Sequence, residues 1–329
     1  MSHTLTATRP ASKSKSTAPH PIINWMINNG ALVGLIIICV GLFIATPHFL
    51  TTTNLINVGI QTATVAILAF GMTFVIVSAG IDLAVGSVAA CSAMVSAVCF
   101  AKLGLPDWLM IIVGLLVGLL AGAISGLAIA YGRLTAFIAT LAMMSIARGV
   151  TLVISKGNPM SAPPSVTMLG KNYFGIPMPI VMMALSGVIC WFILSRTVIG
   201  RNMYAIGGNE EAARLSGIPV KSIQVIVYCL SGLFAGLAGL VIMGRLSSAQ
   251  PQAALGYELD AIAAVVIGGA SLAGGSGKAS GTLVGAILLA VIRNGLNILN
   301  VPSFWQQIVI GIVIALAVGF DVVRNKTST

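Results

Sequence analysis

Charge is scarce in this sequence. Lys, Arg, Asp and Glu make up 7% of its 329 residues, and only seven residues are acidic. A soluble domain carries about a quarter charged residues, so a water-facing globular surface is excluded. Aromatic residues are thin as well, at 6%. Histidine occurs three times, as His3, His20 and His48, and none shares an apolar run with an acid, which argues against a proton relay or a metal site. No nucleophile–base pair or metal-ligand spacing is visible, so a membrane enzyme lacks its chemistry. The five cysteines, Cys39, Cys91, Cys99, Cys190 and Cys229, all lie in apolar runs and read as buried structural thiols. Alternating apolar and polar residues are missing too, which disfavours a membrane barrel.

What is present is grease. The hydrophobic fraction is 57%, with 37 glycines and 14 methionines, and the mean hydropathy is +1.04. The expected fold is all-α: a polytopic membrane helix bundle. A crossing needs about 20 mostly apolar residues. Ten runs qualify, near 29–46, 56–79, 84–101, 108–131, 136–155, 177–195, 223–246, 260–274, 278–296 and 303–322. The eighth is too short to cross as a simple helix. Residues 1–28 form a polar, basic tail and 323–329 a second one, around a transmembrane domain at 29–322. The first tail has no early apolar core, so it reads as an uncleaved cytoplasmic tail and not a signal peptide.

The net charge of +10 suggests nucleic acid at first sight, but the basic residues sort by side. With both termini cytoplasmic, eleven lie inside: Arg9, Lys13, Lys15, Arg133, Arg196, Arg201, Arg214, Lys221, Lys278, Arg324 and Lys326. Lys102, Lys156, Lys171, Arg245 and Arg293 lie outside, and Arg148 falls within a run. Eleven against five obeys the positive-inside rule, so lipid replaces nucleic acid as the expected partner. Gly114, Gly118, Gly122 and Gly126 recur every four residues, as do Gly277, Gly281 and Gly285. Such spacing lets helix backbones meet closely in lipid.

Few residues carry candidate chemistry. "GGSGK" at 274–278 fails the phosphate-loop pattern, because Leu272 and Ala279 occupy its first glycine and last hydroxyl positions. Lys278 marks an inner helix end instead. Asp82, in "AGIDLAVGS", either caps the third helix or marks a functional site, since acids at membrane depth are costly. Gly80, Leu83, Ala84, Gly86 and Ser87 are echoed at Gly269, Leu272, Ala273, Gly275 and Ser276. The echo is either an internal repeat, as transporters with broken helices contain, or coincidence in Gly-rich text. Arg148 is expected to snorkel toward the outer surface. Glu258 and Asp260 precede the eighth run, as a solvated charge and a cap, or as a contact at the mouth of a pathway.

The loop at 196–222 stands apart. "NEEAARLSG" offers Asn209 as a cap, Glu210 and Glu211 in a first turn, and Gly217 as a stop before Ile218 and Pro219. A two-turn helix outside the bilayer is marginal alone. With Ala212, Ala213, Leu215 and Ile218 as an apolar face, it needs lipid headgroups or a partner's groove to dock on.

These residues carry a family resemblance. "EAARLSG" (211–217) fits the E-A-A-x-x-x-G coupling motif of ABC importer permeases. "GIDLAVGS", "AFIATLAMMSIARG", "GRNMYAIGGNEEAARLSGIPV", "RLSSAQP", "GYELDAIAAVVIGGASLAGGSG" and "NGLNIL" resemble the ribose-type monosaccharide permeases, in family order from about residue 50 to 322. The resemblance implies a ten-span subunit paired with a second copy or a sister permease. It implies a cytoplasmic sugar-type ATPase and an extracytoplasmic sugar-binding protein. ATP and Mg would sit on the ATPase, with no cofactor and no catalytic residue on this chain. It assigns Gly208, Asn209, Glu210, Glu211, Ala212, Ala213, Leu215, Gly217 and Ile218 to the coupling helix and its surroundings. Asp82, Ser87, Arg148, Glu258 and Asp260 fall in matching blocks as candidates for the sugar path or its gate, without fixed roles. A proton- or sodium-coupled secondary transporter is the alternative, for which Asp82 is the one suitable intramembrane acid.

Overall fold

The computed structural model describes residues 30–326. The basic tail with Arg9, Lys13 and Lys15, together with His3 and His20, lies outside the described residues, as do 327–329. The helices are α1 (Gly30–Ala45), α2 (Thr52–Val77), α3 (Val85–Leu103), α4 (Leu109–Ala130) and α5 (Ala136–Ser155). Then come a short α6 (Pro164–Thr167), α7 (Met178–Arg196), α8 (Val198–Gly208) and α9 (Glu210–Leu215). The chain closes with α10 (Val220–Leu246), α11 (Tyr257–Ile267), α12 (Ala279–Ile298) and α13 (Ser303–Lys326). Each of the ten apolar runs carries a helix, but they do not make ten equal crossings. Among the described residues seven helices are long and apolar enough to span a membrane: α2, α3, α4, α5, α7, α10 and α12. α1 has 16 residues and α11 only 11.

α2 is the central post. Thr62 to Val77 is buried without interruption, as expected of a helix that is apolar all round. Its Phe74 ring meets Phe234 of α10 edge-on at 5.7 Å. The glycine ladder on α4 faces α10: Gly118 lies against Gly232 and Gly236, and Gly122 against the Tyr228 carbonyl. On α12, Gly281 lies against Gly268 and Gly285 against Ala264 of α11. Both four-residue repeats therefore hold helix pairs, as their spacing predicts.

Two elements are broken partway through the bundle, and α10 serves as the ruler. It has 27 residues, about 40 Å at 1.5 Å per residue. α2 ends at Val77, and the chain then turns back inward. Asp82 reaches Ser231, and Ala89 of α3 lies against Gly239. So α3 starts well inside the bundle, beside the middle of α10. The mirror case follows α10. After Leu246 the chain forms a two-residue ladder, with β1 (Met160–Ser161) antiparallel to the strand Ser248–Ala249. It then re-enters, and Ala254 and Glu258 come against Gly86. α11 starts there, which explains its length: a re-entrant segment of consecutive turns at 251–256 covers the rest of the depth. The two broken helices thus begin side by side in the interior.

Candidate functional site

The loop at 196–222 holds two helices where one was expected. α8 was missed, although Thr197 caps it by accepting the Gly200 amide at 3.1 Å. Ile199, Met203 and Ile206 sit on its inward face, the last two buried. That i, i+4, i+7 spacing was the available signal. Asn209 ends α8 and caps α9, its Oδ1 accepting the Ala212 amide at 2.9 Å. Gly217, at φ +82°, takes the left-handed turn that lets the Ile218 amide reach the Ala213 carbonyl at 3.1 Å.

α9 barely touches its own chain. Only Ala213 is buried and Ile218 half-buried, while Glu210, Glu211, Ala212, Leu215 and Gly217 are exposed. The expected four-residue apolar face is therefore split, and Leu215 stands 78% exposed. Arg214 pairs with Glu211 through two contacts, Nη2–Oε1 at 2.6 Å and Nε–Oε2 at 3.1 Å. The hydrogen bonds and charge of Arg214 hold the Glu211 carboxyl below its usual range. An exposed pair of this kind adds little stability. What it does is fix a charged edge beside an apolar knob.

Behind α9, α8 rests on the end of α2 and on the turn between α11 and α12. Gly207 abuts the Val77 carbonyl and the Gly275 amide, leaving no room for a Cβ. The Gly275 amide donates to Val77 at 2.9 Å, and the Tyr204 hydroxyl to the Gly277 carbonyl at 2.7 Å. Gly274, at φ +89°, lies against Ala79 and Gly207. The turn at 268–278 thus meets the end of α2 under α8. Through α8, the loop that carries α9 is packed on the end of α2 and on the turn leading to α12.

The remaining candidates divide into three groups. Asp82 is buried; its Oδ1 accepts the Ala84 amide at 2.9 Å and its Oδ2 the Ser231 hydroxyl at 2.7 Å. It both turns the chain into α3 and ties that turn to α10. Ser87 is buried in the first turn of α3. Asp260, expected as a cap or an outer contact, is buried and pairs with Arg293 of α12 at 2.6 Å. Arg293, counted with the outer charges, also stacks over Tyr257 at 5.8 Å. Arg148 does not snorkel. Its Nη1 donates to the Pro251 and Ala253 carbonyls at 2.8 and 3.1 Å, holding the re-entrant segment. Glu258 is half-buried against Gly86, not a freely solvated charge. The structure thus gathers Arg148, Glu258 and the start of α3, and leaves Asp260 facing another helix.

Asp82→Asn should be nearly silent for folding, because the amide can accept from Ala84 and donate to Ser231. Asp82→Ala leaves both partners unpaired and should cost about 1–3 kcal/mol. Thermal unfolding of the purified variants reads this directly, and equal losses for both would contradict the bonding described. Uptake measured alongside separates a bonding role from a need for the carboxylate: transport lost in a stable Asp82→Asn protein points to the latter.

Comparison with known proteins places the chain. A family model described as branched-chain amino acid transport system / permease component matches residues 54–318. The ribose import permease protein RbsC of Bacillus subtilis is 48% identical over 303 residues, 91% of this chain and 93% of that protein. Its counterpart in Escherichia coli K12 is 45% identical over 90% of this chain and 94% of its own length. The L-arabinose transport system permease protein AraH of Escherichia coli K12 is 40% identical over 89% of this chain and 91% of that protein. No solved structure matches.

Proposed function

The chain belongs to the branched-chain amino acid transport system / permease component family, and from that premise we propose that it is the membrane subunit of an ATP-driven monosaccharide importer. Ribose or a closely related sugar is the cargo, in keeping with relatives named for ribose at 45–48% identity. A separate cytoplasmic ATPase hydrolyses ATP and Mg binds there; an extracytoplasmic binding protein delivers the sugar; a second permease copy or a sister permease completes the membrane part. Both termini lie in the cytoplasm, in keeping with the basic residues on that side.

The observation that carries this reading is α9: a capped helix held by one buried alanine, with Leu215 78% exposed. A six-residue helix is too short to persist for its own sake, and its exposed knob and charged edge suit a groove on a partner. ATP-driven closure of the ATPases displaces α9. α8 then shifts against Val77 and Gly275, and the bundle changes between two states that the ATPase binds differently.

The test is reconstitution of the permease in liposomes with its cognate ATPase and binding protein, offered a panel of monosaccharides. ATP-dependent uptake that requires all three components, with ribose among the preferred cargo, is expected. Uptake by the permease alone, driven by a proton or sodium gradient, would overturn the assignment.

A further inference from the structure

At the end of the bundle opposite α9, the chain makes a small hairpin before it enters α7. The strands Asn172–Tyr173 and Ile176–Pro177 pair antiparallel around Phe174 and Gly175. Both turn residues have positive φ, +51° and +81°. A two-residue turn of this kind favours Asn, Asp or Gly at its first position, and a bulky residue in the left-handed region is strained. Phe174 bears that strain with its ring fully exposed, at 104%. Tyr173 and Ile176 stand opposite one another, so they share a face of the hairpin, and both are exposed. Pro177, one residue on, points the other way and is buried. The hairpin thus turns an aromatic and apolar face away from its own chain. Lys171 is exposed at its base, without an ion pair among the described residues, and no acid lies in the sequence between Asn158 and Ile206.

Depth decides what meets this face. α7 has 19 residues, about 28 Å at 1.5 Å per residue, against about 30 Å for the hydrocarbon core. Its far end carries Arg196 over the Trp191 ring at 5.7 Å, a cation and an aromatic of the kind found at a membrane boundary. Its start at Met178 therefore reaches the opposite boundary, which puts the hairpin in the headgroup layer. α7 is also peripheral. Gly187 and Cys190 meet Phe70 of α2, while Val181, Leu185, Val188 and Phe192 form an exposed apolar stripe. The hairpin runs straight into that lipid-facing helix. Leu215 at the other end differs: it stands beside Glu210, Glu211 and Arg214, whose mixed charges suit a protein groove. We propose that residues 171–177 are a lipid anchor. Tyr173, Phe174 and Ile176 enter the boundary between headgroups and acyl chains, and the Lys171 ammonium reaches the headgroup phosphates. Burial of the ring in lipid offsets the strain of the turn. The anchor sets the depth of α7, which passes directly into α8 at Thr197.

The test is Phe174→Trp in the full-length permease, with its four native tryptophans changed to phenylalanine, reconstituted in phosphatidylethanolamine–phosphatidylglycerol vesicles. Lipids brominated near the headgroup should quench its emission at least twofold, and acrylamide present on both sides of the membrane only weakly. Leu215→Trp in the same background should show the reverse. Ile176→Trp, on the hairpin's apolar face but outside the strained turn, should match Phe174→Trp. Strong acrylamide quenching of both hairpin variants without bromolipid quenching overturns the anchor. Acrylamide quenching that is relieved only when the extracytoplasmic binding protein is added also overturns it, and makes the hairpin a docking site for that protein. Emission shielded from both quenchers in the permease alone overturns it as well, in favour of a second copy covering the hairpin.

Discussion

Glu211→Lys should yield a permease that inserts and folds normally but recruits its ATPase at least tenfold more weakly. Glu211 is exposed and bonded only to Arg214 three residues on, so reversing it disturbs this chain little. A like-charged neighbour on a helix costs about 0.2–0.5 kcal/mol. The effect at a docked surface is larger. Removing one partner from a desolvated charged contact costs about 2–5 kcal/mol, and each 1.4 kcal/mol is tenfold in affinity. Leu215→Asp, which charges the apolar knob, should act the same way. Co-purification of the ATPase and ATP-dependent uptake in proteoliposomes are the measurements. Wild-type levels of both in either variant would remove α9 from the docking surface.

Gly122→Leu should abolish the folded bundle. A side chain at this position points into the backbone of Tyr228 and Cys229 on α10. Backbone cannot rotate away as a flexible side chain can. The helices must separate, and the adjoining contacts of Gly118 with Gly232 and Gly236 are lost with them. Overpacking a core costs about 1–3 kcal/mol where side chains can adjust, and more is expected here. Gly41→Leu on α1 is the control, because nothing lies within 4 Å of its added Cβ. Size-exclusion profiles and thermal unfolding in detergent should separate the two. A Gly122→Leu protein as stable as the Gly41→Leu protein would show that α4 and α10 are not held together by this ladder.

Much of the organisation was legible before any coordinates. Apolar runs report helices directly, because lipid leaves the backbone no other means of satisfying its polar groups within one segment. α5 occupies Ala136–Ser155, the run as read. The glycine spacings foretold close helix pairs. Asn209, Glu210, Glu211 and Gly217 announced α9 through local capping chemistry, which acts within a few residues and needs no tertiary partner. α8 escaped notice because its eleven residues stand next to a longer apolar run and a stronger capping signal.

Ion pairing and depth were not legible. Asp82, Arg148, Glu258 and Asp260 looked alike as isolated charges near apolar runs, yet each has a different environment. Asp260 finds Arg293, 33 residues away. Asp82 finds Ser231, 149 residues away. Arg148 turns to carbonyls beyond position 250 and not to the surface. Nor does the length of a run say where in the bundle it begins, so the meeting of α3 and α11 in the interior had no local trace. By itself the chain's order of residues determined an all-α membrane bundle, its close-packed glycine faces and one short capped helix, because hydropathy, spacing and capping are local. Only the tertiary structure decided which charges are partnered and where the broken helices meet, because those depend on which distant segments share the same low-dielectric space.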